Sequence, residues 1–349
     1  MSQSLLIYGA YGYTGRLIAR LAVARGLTPT LAGRDEAQLA ALARELALPH
    51  RAFDLKDAAQ GLAGMTVVLH CAGPFERTSA PMVDACLARG VHYLDITGEI
   101  AVFEALAARD REALAAGVML LPGAGFDVVP TDCMAAHLKR RLPDAVRLRL
   151  GFQSRGGVSR GTARTAVANM DKGGFVRRDG VLTQVGPAHR VRTIDFGRGP
   201  TLASTIPWGD VATAWRTTGI ADIEVYMAMP RRFVWGSRVA GWLGPVMKSA
   251  PVQRFLNARI SAGAAGPSDD ARKRGDVRVW GEASNASGRT VTSRVQTPEG
   301  YTLTADAALT LALKALAGQA VPGYQTPAGA YGPDLLLGLA GVGGWLDEG

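Results

Sequence analysis

Cysteine is scarce in this chain. Cys71, Cys86 and Cys133 are scattered and odd in number, which argues against a disulfide framework and fits a reducing compartment. The five histidines are dispersed and no C-x-x-C pair occurs, so no metal site is visible. No apolar run reaches the length of a bilayer span, and no basic start leads into an apolar stretch of the signal-peptide kind. A cytoplasmic location is therefore expected. Lysine is rare too, six against thirty-three arginines. No nucleic-acid-binding motif accompanies that arginine excess, so nucleic acid is not an expected partner.

What is present suits a soluble globular enzyme: 48% hydrophobic and 20% charged residues in 349 positions, enough for two domains. The net charge of +9 is uneven. Residues 1–130 hold 11 basic against 13 acidic side chains and residues 131–349 hold 28 against 17, so the excess belongs to the second part. That asymmetry suits an acidic substrate or an acidic surface.

The chain is organised around Leu5-Leu6-Ile7-Tyr8-Gly9-Ala10-Tyr11-Gly12-Tyr13-Thr14-Gly15. An apolar run breaks into three glycines spaced three apart and then into a helical pattern at Leu17, Ile18, Leu21 and Ala22. A strand, a glycine turn and a helix start make a phosphate cradle: Gly9 for the sharp turn, Gly12 for backbone approach to a pyrophosphate, Gly15 for close helix packing. Residues 9 to 15 are thus expected to bind a dinucleotide. About twenty residues on, at the end of a second strand, stand Gly33 and Arg34, where an acid would hold the ribose hydroxyl of NAD and an arginine suits the 2′-phosphate of NADP. NADP(H) is the expected cofactor and NAD the less favoured one, with Asp35 the residue able to read a hydroxyl.

Strands and helices then alternate: helix 36–46, strand 51–53 followed by Asp54 as a cap, strand 66–71, helix 80–89, strand 91–95, helix 102–115 and strand 118–121. This order implies a doubly wound parallel sheet of the Rossmann type. The loop Ala72, Gly73, Pro74 and Phe75 should line the cofactor, while His70 and Cys71 read as core residues. Asp95 and Glu99 follow the next strand, and a loop with Asp127, Thr131 and Asp132 follows the one after; Thr131 or Asp132 can cap the helix beyond. Asp95 reads equally as a fixer of loop N–H groups. Tyr93, Asp95, Glu99, Asp127 and Cys133 are the candidate proton-transfer groups, because they stand at or just past strand ends.

These residues resemble the saccharopine dehydrogenase-like oxidoreductases, a family that includes trans-acting enoyl reductases. The resemblance lies in Gly9 to Gly15, Ala32-Gly33-Arg34, Cys71 to Phe75, Tyr93 to Glu99, Gly125 to Asp132 and, more thinly, Tyr324 to Asp334. It implies an NAD(P)-binding Rossmann domain over 1–143 joined to a second α+β domain over 144–330 that carries the substrate surface. The Tyr-x-x-x-Lys pair of short-chain dehydrogenases is excluded, since none of the eight tyrosines has lysine four residues later.

In the second half, residues 145–152 alternate as a half-buried strand does, and segments 181–185, 190–194, 223–227, 277–281 and 290–296 read as further strands of a largely antiparallel sheet. A helix is expected over 159–170 and another over 304–317. Between them, residues 229–260 interleave aromatics with arginines, fitting a peripheral membrane contact, a lid over an acyl chain, or buried helices in a homodimer interface. Gly236, Gly241, Gly244 and Pro245 are expected to break any long helix there. Residues 331–349 should pack back on the body. The basic, apolar second domain favours reduction of a C=C bond in an acyl or lipid-like anionic substrate, with an imine-linked amino acid as the alternative and a non-catalytic NADP sensor as the second alternative.

Overall fold

The computed structural model describes residues 4–163, 173–242 and 249–349. It divides into two compact units, one of residues 1–129 and 301–340, the other of 130–300 and 341–349.

The first unit is built on a seven-stranded parallel sheet. Its strands are β1 (Leu5–Tyr8), β2 (Thr30–Gly33), β3 (His50–Ala52), β4 (Val67–His70), β5 (His92–Asp95) and β6 (Met119–Leu121), arranged 3-2-1-4-5-6. The short strand Gly323–Tyr324 adds to β6 in parallel, Gly323 opposite Met119. Leu5 to Tyr8, Val67 to His70 and Met119 to Leu121 are buried without alternation, as expected of strands covered on both faces. The order reverses between β1 and β4, with Tyr8 opposite His70, and ligands of such sheets sit just beyond that point.

Helix α1 (Tyr13–Ala24) follows β1 and buries Gly15, Ile18, Ala19 and Ala22, a face turned slightly from the Leu17/Leu21 stripe expected. It closes at Gly26, φ +73°, with the Leu27 N–H donating to the Ala22 carbonyl at 2.9 Å, a left-handed glycine stop. Helix α2 (Glu36–Leu46) is capped by Asp35, whose Oδ1 accepts from the Gln38 N–H at 3.0 Å and whose Oδ2 accepts from Gln38 Nε2 at 2.7 Å.

Two expectations shift. The helix expected over 80–89 runs from Phe75 to Arg89, with Pro81 inside it; a proline suggests a first turn locally, but the helix start is held by a distant residue, Glu99. The helix expected over 102–115 is two, Ile100–Ala107 and Asp110–Ala116, separated near Arg109, which ion-pairs with Asp84 at 2.6 Å and Glu112 at 2.8 Å.

The chain also returns to the first unit, whereas the sequence reading kept 144–330 together as the second domain. The helix Gly300–Lys314 buries Leu303, Ala307, Ala308, Leu309, Leu311 and Ala312, and the strand at Gly323–Tyr324 follows it. Residues 331–349 divide as well: 331–340 lie in the first unit and 341–349 in the second.

The second unit contains β7 (Ala145–Ser154), β8 (Gly174–Arg178), β9 (Val181–Val185), β10 (Val191–Asp195), β11 (Pro200–Thr205), β12 (Asp222–Ala228), β13 (Asp276–Asn285) and β14 (Thr290–Pro298). The order is β10-β11-β12-β7-β13-β14 and then Leu346–Glu348, with β8 joining β12 to β9. Every pairing is antiparallel except β12 with β7. The helix Val129–Arg141 sends Met134 and Leu138 onto Gly281 of β13, where an added Cβ would lie 2.6 Å from either side chain. Strands β8 and β11 were not expected: the first is half basic and the second opens on a proline.

The helix expected over 159–170 is described only through residue 163, and Gly244 and Pro245 lie outside the described residues. Gly236 and Gly241 do not break the helix Arg231–Trp242, which runs through both.

Candidate active site

The carboxyl edge of the parallel sheet gathers four loops of the first unit. The first is the glycine turn. The Gly9 and Ala10 N–H groups both donate to the Ala32 carbonyl, at 2.8 and 3.1 Å, and the Gly12 N–H donates to the Gly9 carbonyl at 3.0 Å. Gly9 has φ +81°, and a Cβ on it would stand 2.8 Å from the Ala72 nitrogen and Cβ; one on Gly15 would stand 2.4 Å from the Gly9 oxygen. Both positions therefore demand glycine for backbone packing. At Gly12 an added Cβ would meet only the Gly9 oxygen, at 3.1 Å, so its other side is open to a ligand.

Gly12 occupies the N-cap position of α1 without a side-chain cap, and helix geometry leaves the first-turn N–H groups without intrahelical partners. An anion there gains those donors and the positive end of the helix dipole. Tyr11, Gly12, Tyr13 and Thr14 remain partly exposed, while Ala10 is fully buried. The Tyr11 ring lies on Gly33, where an added Cβ would stand 2.6 Å from its Cε1. Tyr13 meets Tyr301 edge-on, ring centroids 5.1 Å apart.

At the end of β2, Arg34 is exposed and makes no hydrogen bond or ion pair among the described residues. Asp35 is committed to capping α2, and those hydrogen bonds from Gln38 hold its carboxyl below the usual range. The neighbouring cation is available to a phosphate while the neighbouring acid is engaged with its own helix. The residues present therefore fit NADP(H).

The second loop follows β4. Ala72 is half-buried and Gly73 and Pro74 are exposed, whereas Phe75 turns inward, edge-on to the His70 ring at 5.4 Å. The accessible part of this loop is thus Ala72 to Pro74. His70 is fully buried and Nε2 lies 3.0 Å from the Thr78 hydroxyl. That hydroxyl donates to the Ala72 carbonyl at 2.7 Å, so His70 Nε2 must be the donor to it. Burial lowers the imidazole to about 3 and raises the Cys71 thiol; both stay neutral, His70 in the core and Cys71 half-buried beside it.

The third and fourth loops follow β5 and β6, and they carry most of the candidate proton carriers. Asp95 is completely buried. Its Oδ1 accepts from the N–H of Thr97 and of Gly123, both at 2.9 Å, and its Oδ2 accepts from the Tyr93 hydroxyl at 2.7 Å. The carboxyl ties the loop after β5 to the loop after β6. Burial pushes it up to about 6, against the pull of those hydrogen bonds. Tyr93 is also fully buried, and its phenol is raised well above its ordinary value by burial and by Asp95.

Glu99 is buried as well. Its two oxygens accept from the N–H groups of Phe75 at 3.0 Å and Glu76 at 2.7 Å, so it caps the helix after β4. Cys133 is fully buried in the helix Val129–Arg141. Thr131 and Asp132 do not cap that helix, which begins before them. Thr131 donates to Asp210 Oδ2 at 2.7 Å, and Asp132 accepts from the Thr217 hydroxyl at 2.5 Å. Tyr93, Asp95, Glu99 and Cys133 are therefore withdrawn from contact with a substrate in this geometry, three of them by explicit bonds that organise the loops.

Asp127 is different. It stays partly exposed on the loop after β6 and makes no hydrogen bond among the described residues. Its carboxylate sits over Gly98, where a Cβ would lie 2.7 Å from Oδ2. Burial alone pushes it up to about 6. A residue the sequence reading missed positions this loop: Thr304, whose hydroxyl accepts from the Phe126 N–H at 3.0 Å and whose methyl packs against Gly125. Its separation of 178 residues along the chain left no local signal; only the buried face of the helix Gly300–Lys314 could have hinted at it.

Among the described residues no cluster of His, Cys, Asp and Glu could hold a metal, and no helix is long and apolar enough to cross a membrane.

Residues 5–121 match the family model of the saccharopine dehydrogenase NADP binding domain. Trans-acting enoyl reductases of Mycobacterium bovis and Mycobacterium tuberculosis are 33% identical over 149 residues, 39% of this chain and 35% of each relative. The match thus spans about a third of the length of those curated relatives. The apo saccharopine dehydrogenase (L-Glu forming) of Saccharomyces cerevisiae shares the fold at TM-score 0.67 with 12% identity, over 100% of both chains. Residues 5–121 are thus a domain of the saccharopine dehydrogenase NADP-binding kind.

Proposed function

We propose that the protein is an NADPH-dependent oxidoreductase that reduces a C=C bond of an acyl substrate with an anionic head. The observation that carries the proposal is Asp127, the one candidate carboxyl left accessible on the same sheet edge as the glycine turn, with a value near 6. The likeness of 39% of the chain to trans-acting enoyl reductases supports C=C over C=N as the bond reduced.

In this reading the N–H groups opening α1 take the pyrophosphate, with Gly9, Gly12 and Gly15 keeping the backbone close. Tyr11, Tyr13 and Thr14 border the phosphates, and Arg34 takes the 2′-phosphate. Ala72, Gly73 and Pro74 line the cofactor further along. NADPH held there would supply the hydride taken up at the β-carbon of the enoyl group. The π electrons then move to the α-carbon, which takes its proton from Asp127. Asp127 is reprotonated from solvent through its exposed side, and Asp95, Glu99 and Thr304 hold the surrounding loops in register.

Because the acid form is required, the rate of reduction falls as pH rises through about 6, close to tenfold per pH unit beyond it. The test is NADPH oxidation between about pH 5 and pH 8, with enoyl thioesters and, separately, with lysine plus 2-oxoglutarate. Turnover of the thioester that Asp127→Asn abolishes while NADPH binding persists supports the proposal. Turnover of lysine with 2-oxoglutarate alone replaces it with C=N chemistry, NADPH binding with turnover of neither leaves the substrate open while the cofactor assignment stands, and a cofactor-bound structure whose nicotinamide face is sealed by protein makes the protein a sensor.

A further inference from the structure

The most lopsided stretch of the second unit runs from Met229 to Ile260. It holds six lysines and arginines and no aspartate or glutamate, so it carries six of the chain's nine net positive charges; the rest of the chain has 33 basic against 30 acidic side chains. Its described parts include the helices Arg231–Trp242 and Ala250–Ala262. Aromatics that a core would take in stand in solvent: Trp235 is 72% exposed, Phe255 61% and Phe233 58%. Val234, between two of them, is buried, so the first helix is seated by its other side.

Arginines stand beside the exposed rings. The Arg232 guanidinium lies 5.3 Å from the Phe233 centroid and that of Arg259 lies 5.7 Å from the Phe255 centroid. Arg231 and Arg254 are exposed on the same helices. A partner that removes these rings from water must also supply negative charge. A nucleic acid supplies the charge without an apolar layer. An anionic bilayer supplies both, because Trp and Phe settle at the boundary of headgroups and acyl chains while guanidinium groups meet phosphates.

We propose that the helices Arg231–Trp242 and Ala250–Ala262 dock the protein on the surface of an anionic phospholipid bilayer, with Phe233, Trp235 and Phe255 entering the headgroup layer and Arg231, Arg232, Arg254 and Arg259 on the lipid phosphates. The contact is peripheral. It requires neither cofactor nor substrate, so it stands apart from the reading of the reaction.

The full chain is sedimented with vesicles of phosphatidylcholine alone and of phosphatidylcholine with phosphatidylglycerol, at low and high salt. Two variants are compared, Phe233→Ser/Trp235→Ser/Phe255→Ser and Arg231→Gln/Arg232→Gln/Arg254→Gln/Arg259→Gln, with circular dichroism and cooperative thermal unfolding of the whole chain reporting that each is folded. The expected result is binding to the anionic vesicles alone, weakened by salt and reduced by roughly tenfold or more in each variant. Serine substitutions that leave anionic binding intact overturn the proposal, since net charge would then suffice. So does a wild-type chain that binds neither vesicle, including one whose dimer the serine variant converts to monomer, in which case a second copy covers these rings.

Discussion

Asp95 in the parallel sheet is fully buried and Glu282 in the second unit's sheet is half-buried, and the two carboxylates are held by different things. Asp95 is surrounded by two backbone N–H groups and a phenol, with no cation in hydrogen-bond contact. Glu282 accepts from Arg149 at 2.7 Å and from Arg192 at 3.0 and 3.3 Å. Burial raises both, but at Glu282 the hydrogen bonds from Arg192 and Arg149 outweigh it and hold the carboxyl below its ordinary value, whereas Asp95 ends near 6. A parallel sheet covered on both faces admits charge only at strand ends, where loop N–H groups are the available partners. In the second unit's sheet Arg149 reaches Glu282 from directly across the pair β7–β13, as cross-strand partners do, and Arg192 reaches it from β10.

Removing Asp95 should have the largest effect. Asp95→Ala orphans two buried N–H groups and a buried phenol, and a loss of about 3–5 kcal/mol is expected by urea unfolding of the first unit. The sign of the pH dependence sharpens the contrast. The native carboxyl binds its proton more tightly than the unfolded chain does, so Asp95 contributes stability at low pH that is lost as pH rises from about 3.8 through about 6. Asp95→Asn should flatten that slope, read from unfolding midpoints across this range; an unchanged slope would assign the titration elsewhere.

Next in size is Arg34→Ala, expected to weaken NADPH binding about 10- to 100-fold while leaving NADH nearly unchanged. Asp35→Ala should leave the cofactor preference alone and lower stability through the lost cap. Equilibrium titration of both cofactors checks the pair, and tighter binding of NADH than NADPH by the wild type would remove Arg34 from its assigned place.

The smallest effect on the comparison is at Glu282. Glu282→Gln keeps the shape and some of the acceptor capacity but removes the charge between Arg149 and Arg192, and a loss of about 1–2 kcal/mol is expected, eased by raised salt because these side chains reach solvent. A loss as large as that of Asp95→Ala, insensitive to salt, would show that the antiparallel face is as closed as the parallel sheet.

Much of the first unit was legible because its signals are local. The apolar runs of β1, β4, β5 and β6 and the glycines that permit a turn each span a few residues, and the sequence reading placed them within a residue or two; Asp35, read there as able to hold a ribose hydroxyl, instead caps the helix Glu36–Leu46. The helix beginning at Phe75 was less legible, because its cap, Glu99, lies 23 and 24 residues away from the N–H groups it holds. Strand Gly323–Tyr324 has two residues and no pattern of its own; it exists because β6 offers an open edge.

The amino-acid order by itself determined the nucleotide-binding half of this protein: turn geometry, strand burial and the choice between Arg34 and Asp35 depend on neighbours along the chain. It also narrowed the acids to those at strand ends. Only the tertiary structure decided what each acid does, since that depends on which buried N–H groups lack a partner and which carboxylate reaches them first. Asp95 and Glu99 were taken up by such groups on other loops and Asp127 was not. It likewise decided that residues 301–340 return to the first unit, because a two-residue strand and a buried helix face acquire meaning only when the sheet they complete is already present.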